Sequence, residues 1–235
     1  ERMGNAFLFQ LDLLAEIPMY ISPHRELRIR ILPSSGSRSA EFQFPQWEYD
    51  LEPLSLYWYA RSATGLPLLQ FLAFYQAIEF YFPVYSVREA QRILQNTLKN
   101  PTFNVQRDSD VTRLLTALKS SSRSSGFGTE KEQLRDTIRY CIRSEEIIKF
   151  LIEDESRKQY FTDKKKFSVV SDVRIPIRGG GGDIIETVAE RIYDIRCKIV
   201  HAKEGQSPEK AAILPFSKEA QNMSSDIELA RFVAR

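Results

Sequence analysis

From residue 66 onward, apolar residues recur at helical spacing. The stretch 66–82 is apolar on almost every side, which predicts a helix buried in a core, and Gly65-Leu66-Pro67 suits its start. The same periodicity predicts further helices at Val87–Lys99, Asp110–Lys119, Thr129–Glu153, Asp183 to about Ala202, and Ser217–Val233. Thr129–Glu153 is long enough for one helix or a bent pair. The predicted fold class is therefore mainly α, with one helical domain over residues 61–235.

The first 60 residues follow another pattern. Glu26–Leu32 alternates apolar and polar positions, which is typical of a half-buried strand, and Glu41–Tyr49 suits a partner strand or an extended arm. We therefore predict a small β-containing N-terminal module over residues 1–60. The chain begins with Glu1 rather than Met, so we expect a fragment in which this module is the tail of a missing upstream domain.

Composition is that of an ordinary globular protein, with 43% hydrophobic and 27% charged residues. A net charge of +2 gives no whole-chain case for nucleic acid, so any anion site must be a local cluster. Cys141 and Cys197 lie far apart without paired spacing and suggest reduced thiols in the cytoplasm. Polar residues interrupt the apolar stretch 66–84, which predicts a buried helix rather than a membrane span.

The segment Ile192–His201 carries the most distinctive chemistry. His201, one of two histidines in the chain, follows Arg196 by five residues near the end of a predicted helix. An imidazole can move protons near neutral pH, and a guanidinium can hold and neutralise a phosphate. Five residues correspond to about 140° around an ideal helix, so the two side chains converge only at a distorted helix end or across two copies of the helix.

The pattern Tyr193-x-x-Arg196-x-x-Ile199-Val200-His201 resembles the Arg-x4-His signature of the HEPN superfamily, including its abortive-infection-like ribonucleases. The resemblance implies a HEPN-like helical bundle that cuts RNA without a metal or other cofactor. It also implies a homodimer with a composite active site, in which Arg196 and His201 are catalytic. Cys197 departs from the polar residue that many members carry after the arginine.

The resemblance also suggests supporting residues, each with a plainer alternative. An acidic residue of an early helix often faces the Arg/His helix in this family, so Glu79 could orient Arg196; it could equally pair with another arginine or face solvent. Tyr193 shares a helix face with Arg196 and could contact substrate or belong to the core. Arg196 itself could simply pair with a carboxylate, and His201 could cap the helix C-terminus.

Seven basic side chains lie in residues 157–178 and could follow an RNA backbone. Our candidate RNA-binding lysines are Lys164, Lys165, Lys166 and, on the motif helix, Lys198. The interleaved aromatic residues Tyr160, Phe161 and Phe167 would suit base stacking or packing. The alternative is an ordinary solvated face.

Other chemistries find less support. Cys197 and His201 are four residues apart, which allows a histidine-activated thiolate, but no third orienting group is apparent. Two histidines and two cysteines without paired spacing do not predict a zinc site. Gly179–Gly182 lacks a following Lys-Ser/Thr and precedes Asp183, so it predicts a loop rather than a phosphate-binding turn.

Two functions compete. One is a metal-independent endoribonuclease that cleaves single-stranded RNA through its 2′-hydroxyl, serving as a toxin or antiphage effector under a sensor domain or regulatory partner. The other is an inactive HEPN module used for dimerisation or for nucleotide or RNA binding in a larger complex.

Overall fold

The fold was obtained as a computed structural model, which describes residues 2–15, 48–120, 129–177, 183–200 and 212–235. Every regular element in these ranges is an α-helix, which confirms the predicted mainly α class. The helices are α1 (Arg2–Ala15), α2 (Leu51–Ser62), α3 (Pro67–Glu79), α4 (Phe82–Lys99), α5 (Asp108–Ser120), α6 (Glu130–Cys141), α7 (Ser144–Glu153), α8 (Glu155–Thr162), α9 (Lys164–Phe167), α10 (Ile184–Val200), α11 (Lys218–Gln221) and α12 (Ser224–Val233).

Helix α3 lies at the centre of the bundle, as its apolar sequence predicted. It packs against α2, α6, α10 and α12, and its aromatic residues Phe71, Phe74 and Tyr75 are buried. Helix α10 packs against α3, α6 and α7, while α4 packs against α5 and α6. None of the helices within the described ranges is both long and apolar enough to cross a membrane.

Several predicted helix boundaries were wrong. The helix predicted to reach residue 82 ends at Glu79, and α4 begins at Phe82, five residues before the predicted start at Val87. Pro83 explains both changes, because proline lacks an N–H and fits the first turn of a new helix better than a helix interior.

Residues 129–153 were predicted as one helix or a bent pair, and residues 217–233 as one helix. Residues 129–153 form the pair α6 and α7, because Ile142 and Arg143 are extended and the Glu146 carboxylate accepts from the Arg143 backbone N–H at 3.0 Å. The closing helix divides into α11 and α12 at Asn222 and Met223.

The structure gives no support for the β-containing module in the parts of 1–60 that it describes. Residues 2–15 form α1, and α2 crosses the predicted boundary at residue 60. Phe9 of α1 is buried, with ring contacts to Tyr49 and Tyr57 at 4.7 and 5.2 Å between centroids. Burial of this apolar face against α2 explains why helix is preferred here. The predicted strand Glu26–Leu32 lies outside the described residues, as does Glu41–Tyr49 apart from its last two residues, which are irregular.

A candidate active site around Arg196

Helix α10 carries the motif arginine and runs antiparallel to α6. The Asp183 carboxylate caps its start, accepting from the Ile185 backbone N–H at 2.9 Å. Ion pairs then join the two helices along their length: Arg139–Asp183 at 2.6 Å, Arg135–Glu186 at 3.6 Å and Lys131–Glu190 at 2.7 Å. This alignment brings the start of α6 beside the C-terminal part of α10, where Arg196 lies.

Arg196 forms an ion pair with Glu130, in the first turn of α6, at 2.8 Å. The same Glu130 oxygen accepts a 2.7 Å hydrogen bond from the hydroxyl of Tyr75, whose side chain is buried in α3. The guanidinium carbon of Arg196 lies 5.6 Å from the centre of the Tyr75 ring. Burial raises the pKa of Tyr75, and the hydrogen bond to Glu130 raises it further, so Tyr75 remains a proton donor to this carboxylate.

Glu79 lies one helical turn after Tyr75 on α3 and is electrostatically coupled to the same cluster. Burial and the negative charge of Glu130 raise the pKa of Glu79, while Arg196 opposes this rise. Among the described residues, however, Glu130 rather than Glu79 is the carboxylate within ion-pair distance of Arg196. Glu79 therefore belongs to the surroundings of Arg196, but the carboxylate that pairs directly with Arg196 is Glu130 and not the predicted Glu79.

Tyr193 and Cys197 complete the α10 side of the cluster. Burial raises the pKa of Tyr193 to about 12, and the neighbouring Cys197 contributes to this rise. Burial lowers the pKa of Arg196, but Glu130 and its other neighbours outweigh that effect and raise it overall, so the guanidinium stays charged.

His201 lies outside the described residues, so its place beside Arg196 in the site stays a prediction. The last described residue of α10 is Val200, and the Lys198 carbonyl accepts from the backbone N–H of Ile213 at 3.0 Å. Ile213 therefore lies beside the C-terminal end of α10.

The predicted RNA-binding lysines fall into two environments. Lys164, Lys165 and Lys166 are exposed on α9, as a phosphate-binding group would need to be. The Lys198 ammonium instead forms an ion pair with Asp194 at 3.0 Å and donates to the Val170 carbonyl at 3.3 Å. Lys198 is thus held by intramolecular contacts.

The aromatic residues among those lysines were open to two interpretations, and the structure decides for packing. Tyr160, Phe161 and Phe167 are buried around the side chain of Arg191, whose guanidinium lies between 5.3 and 5.9 Å from the three ring centres. These rings are therefore not available to stack on bases, because they are buried in the core.

Arg191 is a fully buried arginine that the sequence analysis missed. It pairs with the buried carboxylate of Asp226 at 2.7 Å and donates to the carbonyls of Ser171 and Val173 at 3.0 and 2.8 Å. The Tyr160 hydroxyl also donates to Asp226, at 2.6 Å. A buried charge requires such a set of partners, and this clamp fixes the segment before α10 against α12.

Tyr75 and Glu130 were also missed as members of the Arg196 cluster. Glu130 directly follows the Thr129 cap, and in the sequence it is typical of the acidic residues that stabilise the first turn of a helix. Tyr75 is typical of the aromatic residues of a buried helix. Neither signal reveals that the two side chains meet Arg196, since that depends on how α3, α6 and α10 pack.

In the part of the chain that the structure describes, no three His, Cys, Asp or Glu side chains group together in a way that could hold a metal ion.

Comparisons of the chain with protein-family models, curated proteins and solved structures found no match. The resemblance to the HEPN superfamily therefore stays a prediction from the motif residues.

Proposed function

We propose that this chain is a metal-independent endoribonuclease of the HEPN type. In this proposal Arg196 stabilises the negative charge that develops on the phosphate, and His201 transfers a proton during attack by the 2′-hydroxyl. The products are a 2′,3′-cyclic phosphate and a 5′-hydroxyl. Two copies of the chain would form the composite site, and a sensor domain or a regulatory partner would control a toxin or antiphage effector.

The observation that carries this proposal is the setting of Arg196. Its side chain is 19% exposed, so solvent and ligand can reach a guanidinium that is otherwise held in place. A guanidinium has five N–H donors, and the ion pair with Glu130 leaves donors for a phosphate. Holding the group by Glu130 and the Tyr75 ring reduces the conformational entropy lost when it binds a phosphate.

The same ion pair favours the second candidate, an inactive module used for dimerisation or nucleotide binding. Glu130 places a negative charge 2.8 Å from Arg196, where it competes with a phosphate. In that case Arg196 serves mainly to join α10 to α6. The two candidates differ in whether removing Arg196 abolishes a chemical activity or only weakens a helix contact.

The test is cleavage of end-labelled single-stranded RNA in excess EDTA by the wild type, Arg196→Ala and His201→Ala. Arg113→Ala is the matched control, since it removes an arginine that is 79% exposed on α5. The nuclease proposal expects cyclic-phosphate products from the wild type and the control, and a loss of at least about a hundredfold in both motif variants.

Cutting that survives both motif substitutions would remove Arg196 and His201 from the chemistry. A wild type that binds RNA without cutting it would favour the inactive module. Circular dichroism of each variant must match the wild type, so that loss of activity is not loss of folding.

A further inference from the structure

A cleft lies among α2, α3, α4, α6 and α12. It has a volume of about 350 Å³, which is within the range of small-ligand pockets. The apolar side chains of Leu54, Ala77, Ile78 and Ile138 are part of its lining. The tyrosines Tyr57, Tyr81 and Tyr85 also line it, so this lining suits a flat, partly apolar ligand better than a highly charged one.

The cleft is separate from the Arg196 cluster. None of the residues lining it belongs to that cluster. Cys141, which lines the cleft, is at the end of α6, whereas Glu130 is at its start, roughly 16 Å away along the helix axis. A ligand in the cleft would therefore contact a different end of the same helix.

Aromatic rings extend from the cleft to the protein surface. The ring of Tyr85 is stacked on that of Tyr140, with centroids 5.7 Å apart and planes at 18°. The Tyr140 hydroxyl donates to Glu89 at 2.9 Å, which helps to hold this pair of rings in place. The exposed guanidinium of Arg88 lies 5.3 Å from the Tyr85 ring centre, close enough to pair with a phosphate attached to a bound base.

Asp50 supplies a carboxylate at this cleft. It occupies the N-cap position of α2, yet its side chain makes no capping hydrogen bond. Its described side-chain contact is a long hydrogen bond from the Tyr81 hydroxyl, at 3.4 Å. Burial raises the pKa of Tyr81 to about 12, with a contribution from Asp50, so Tyr81 stays protonated and donates. A carboxylate with two oxygens and one weak described partner can accept two further donors from a ligand.

We propose that this cleft binds a guanine base. Guanine presents two adjacent donors, the ring N1–H and the 2-amino group, which match the two oxygens of the Asp50 carboxylate. Adenine lacks this pair of neighbouring donors on one edge. The base lies against the apolar and aromatic lining of the cleft, and Arg88 pairs with the 5′-phosphate. The guanine could come from a free nucleotide or from a single-stranded RNA.

The first arm of the test titrates GMP, IMP and AMP by isothermal calorimetry. IMP is the matched ligand control, because it differs from GMP only by lacking the 2-amino group. We expect IMP and AMP to bind at least about tenfold more weakly than GMP, and Asp50→Asn to weaken GMP binding by a similar factor. Asp108→Asn, which removes an exposed carboxylate near the start of α5, should bind GMP as the wild type does.

No GMP binding at several millimolar, equal binding of GMP and IMP, or unchanged binding in Asp50→Asn would each overturn the proposal. Thermal unfolding of Asp50→Asn must match that of Asp108→Asn, so that a binding loss reports the site. Tyr81→Phe gives an independent check: it frees Asp50 from its hydrogen bond and should not weaken GMP binding.

The second arm identifies the source of the base, using Arg196→Ala to prevent cleavage. If RNA is the source, an oligouridine with one guanosine should bind at least about tenfold more tightly than GMP, and the gain should fall with salt. If a free nucleotide is the source, the oligomer should bind no more tightly than GMP. Both results support the guanine site. Because this arm reads binding alone, a failure of the nuclease proposal leaves its outcome interpretable.

Discussion

Arg191 and Arg196, five residues apart on α10, occupy opposite environments. The side chain of Arg191 is 0% exposed and pairs with the buried Asp226, whereas that of Arg196 is 19% exposed and pairs with the partly exposed Glu130. One helix thus presents one arginine to the core and another to a surface cluster. The first holds the fold together, and the second has the accessibility that a phosphate-binding group requires.

Replacement of Arg191 should destabilise the whole domain. Arg191→Met leaves the Asp226 carboxylate buried without its counter-charge, and we expect the free energy of unfolding to fall by about 3–5 kcal/mol. Urea denaturation followed by circular dichroism measures this loss. The double variant Arg191→Met with Asp226→Leu removes both charges and should recover most of it. A loss below about 1 kcal/mol in Arg191→Met would show that the clamp contributes little.

Glu130→Gln tests whether Glu130 orients Arg196 or competes with its ligand. Glutamine keeps the side-chain shape and can still accept from Tyr75, but it loses the ion pair with Arg196. If the chain is a nuclease, we expect the cleavage rate to fall by about ten- to a hundredfold through misplacement of the guanidinium.

The pair is partly exposed, so stability should change by less than about 1 kcal/mol. Single-turnover cleavage and urea denaturation of the same sample separate the two effects. Faster cleavage or tighter RNA binding in Glu130→Gln would instead identify Glu130 as a competitor for Arg196.

The raised pKa of Glu79 predicts a pH-dependent effect on stability. Because burial and Glu130 raise this pKa, the folded chain binds the Glu79 proton more tightly than the unfolded chain does. The stabilisation from that proton is complete below the ordinary glutamate pKa of about 4.3 and is lost as pH rises through the folded value.

Glu79→Gln is neutral at every pH, so its free energy of unfolding should exceed that of the wild type at pH 7. The difference should shrink as pH falls towards 4. Paired urea titrations across this range compare the two proteins, so that the titration of other carboxylates cancels. A difference that stays constant with pH would contradict the assignment.

The exposed lysines of α9 should affect RNA binding but not folding. Changing Lys164, Lys165 and Lys166 to alanine removes three exposed charges. If they contact a single-stranded RNA, the slope of log affinity against log salt should become shallower by up to about 2. Filter binding at several salt concentrations, in the Arg196→Ala background, measures that slope.

The matched control is a triple alanine variant at Lys99, Lys149 and Lys218, which are exposed on other helices. An equal change of slope in both triple variants would show that α9 provides only general positive charge rather than an RNA path.

Local pattern predicted most helices but not their exact ends. The apolar sequence of α3 was sufficient to place it in the core, since a helix that is apolar on every side has no solvated face. The division near residue 80 and the pairing of α6 with α7 depend on Pro83 and on the extended Ile142-Arg143 linker. In the N-terminal region, residues 2–15 lie within the predicted β-containing module but form α1, whose Phe9 packs against Tyr57.

The sequence by itself determined the helical class, the buried position of α3 and the presence of Arg196 on an amphipathic helix, because these depend on periodicity within short segments. Only the tertiary structure decided which arginine is buried and which is accessible, and that Glu130 rather than Glu79 pairs with Arg196. The tertiary structure also decided that Tyr160, Phe161 and Phe167 pack in the core around Arg191. Those outcomes join residues up to 66 positions apart, such as Tyr160 and Asp226. Contacts at such separations are set by how helices pack, and no local pattern encodes them.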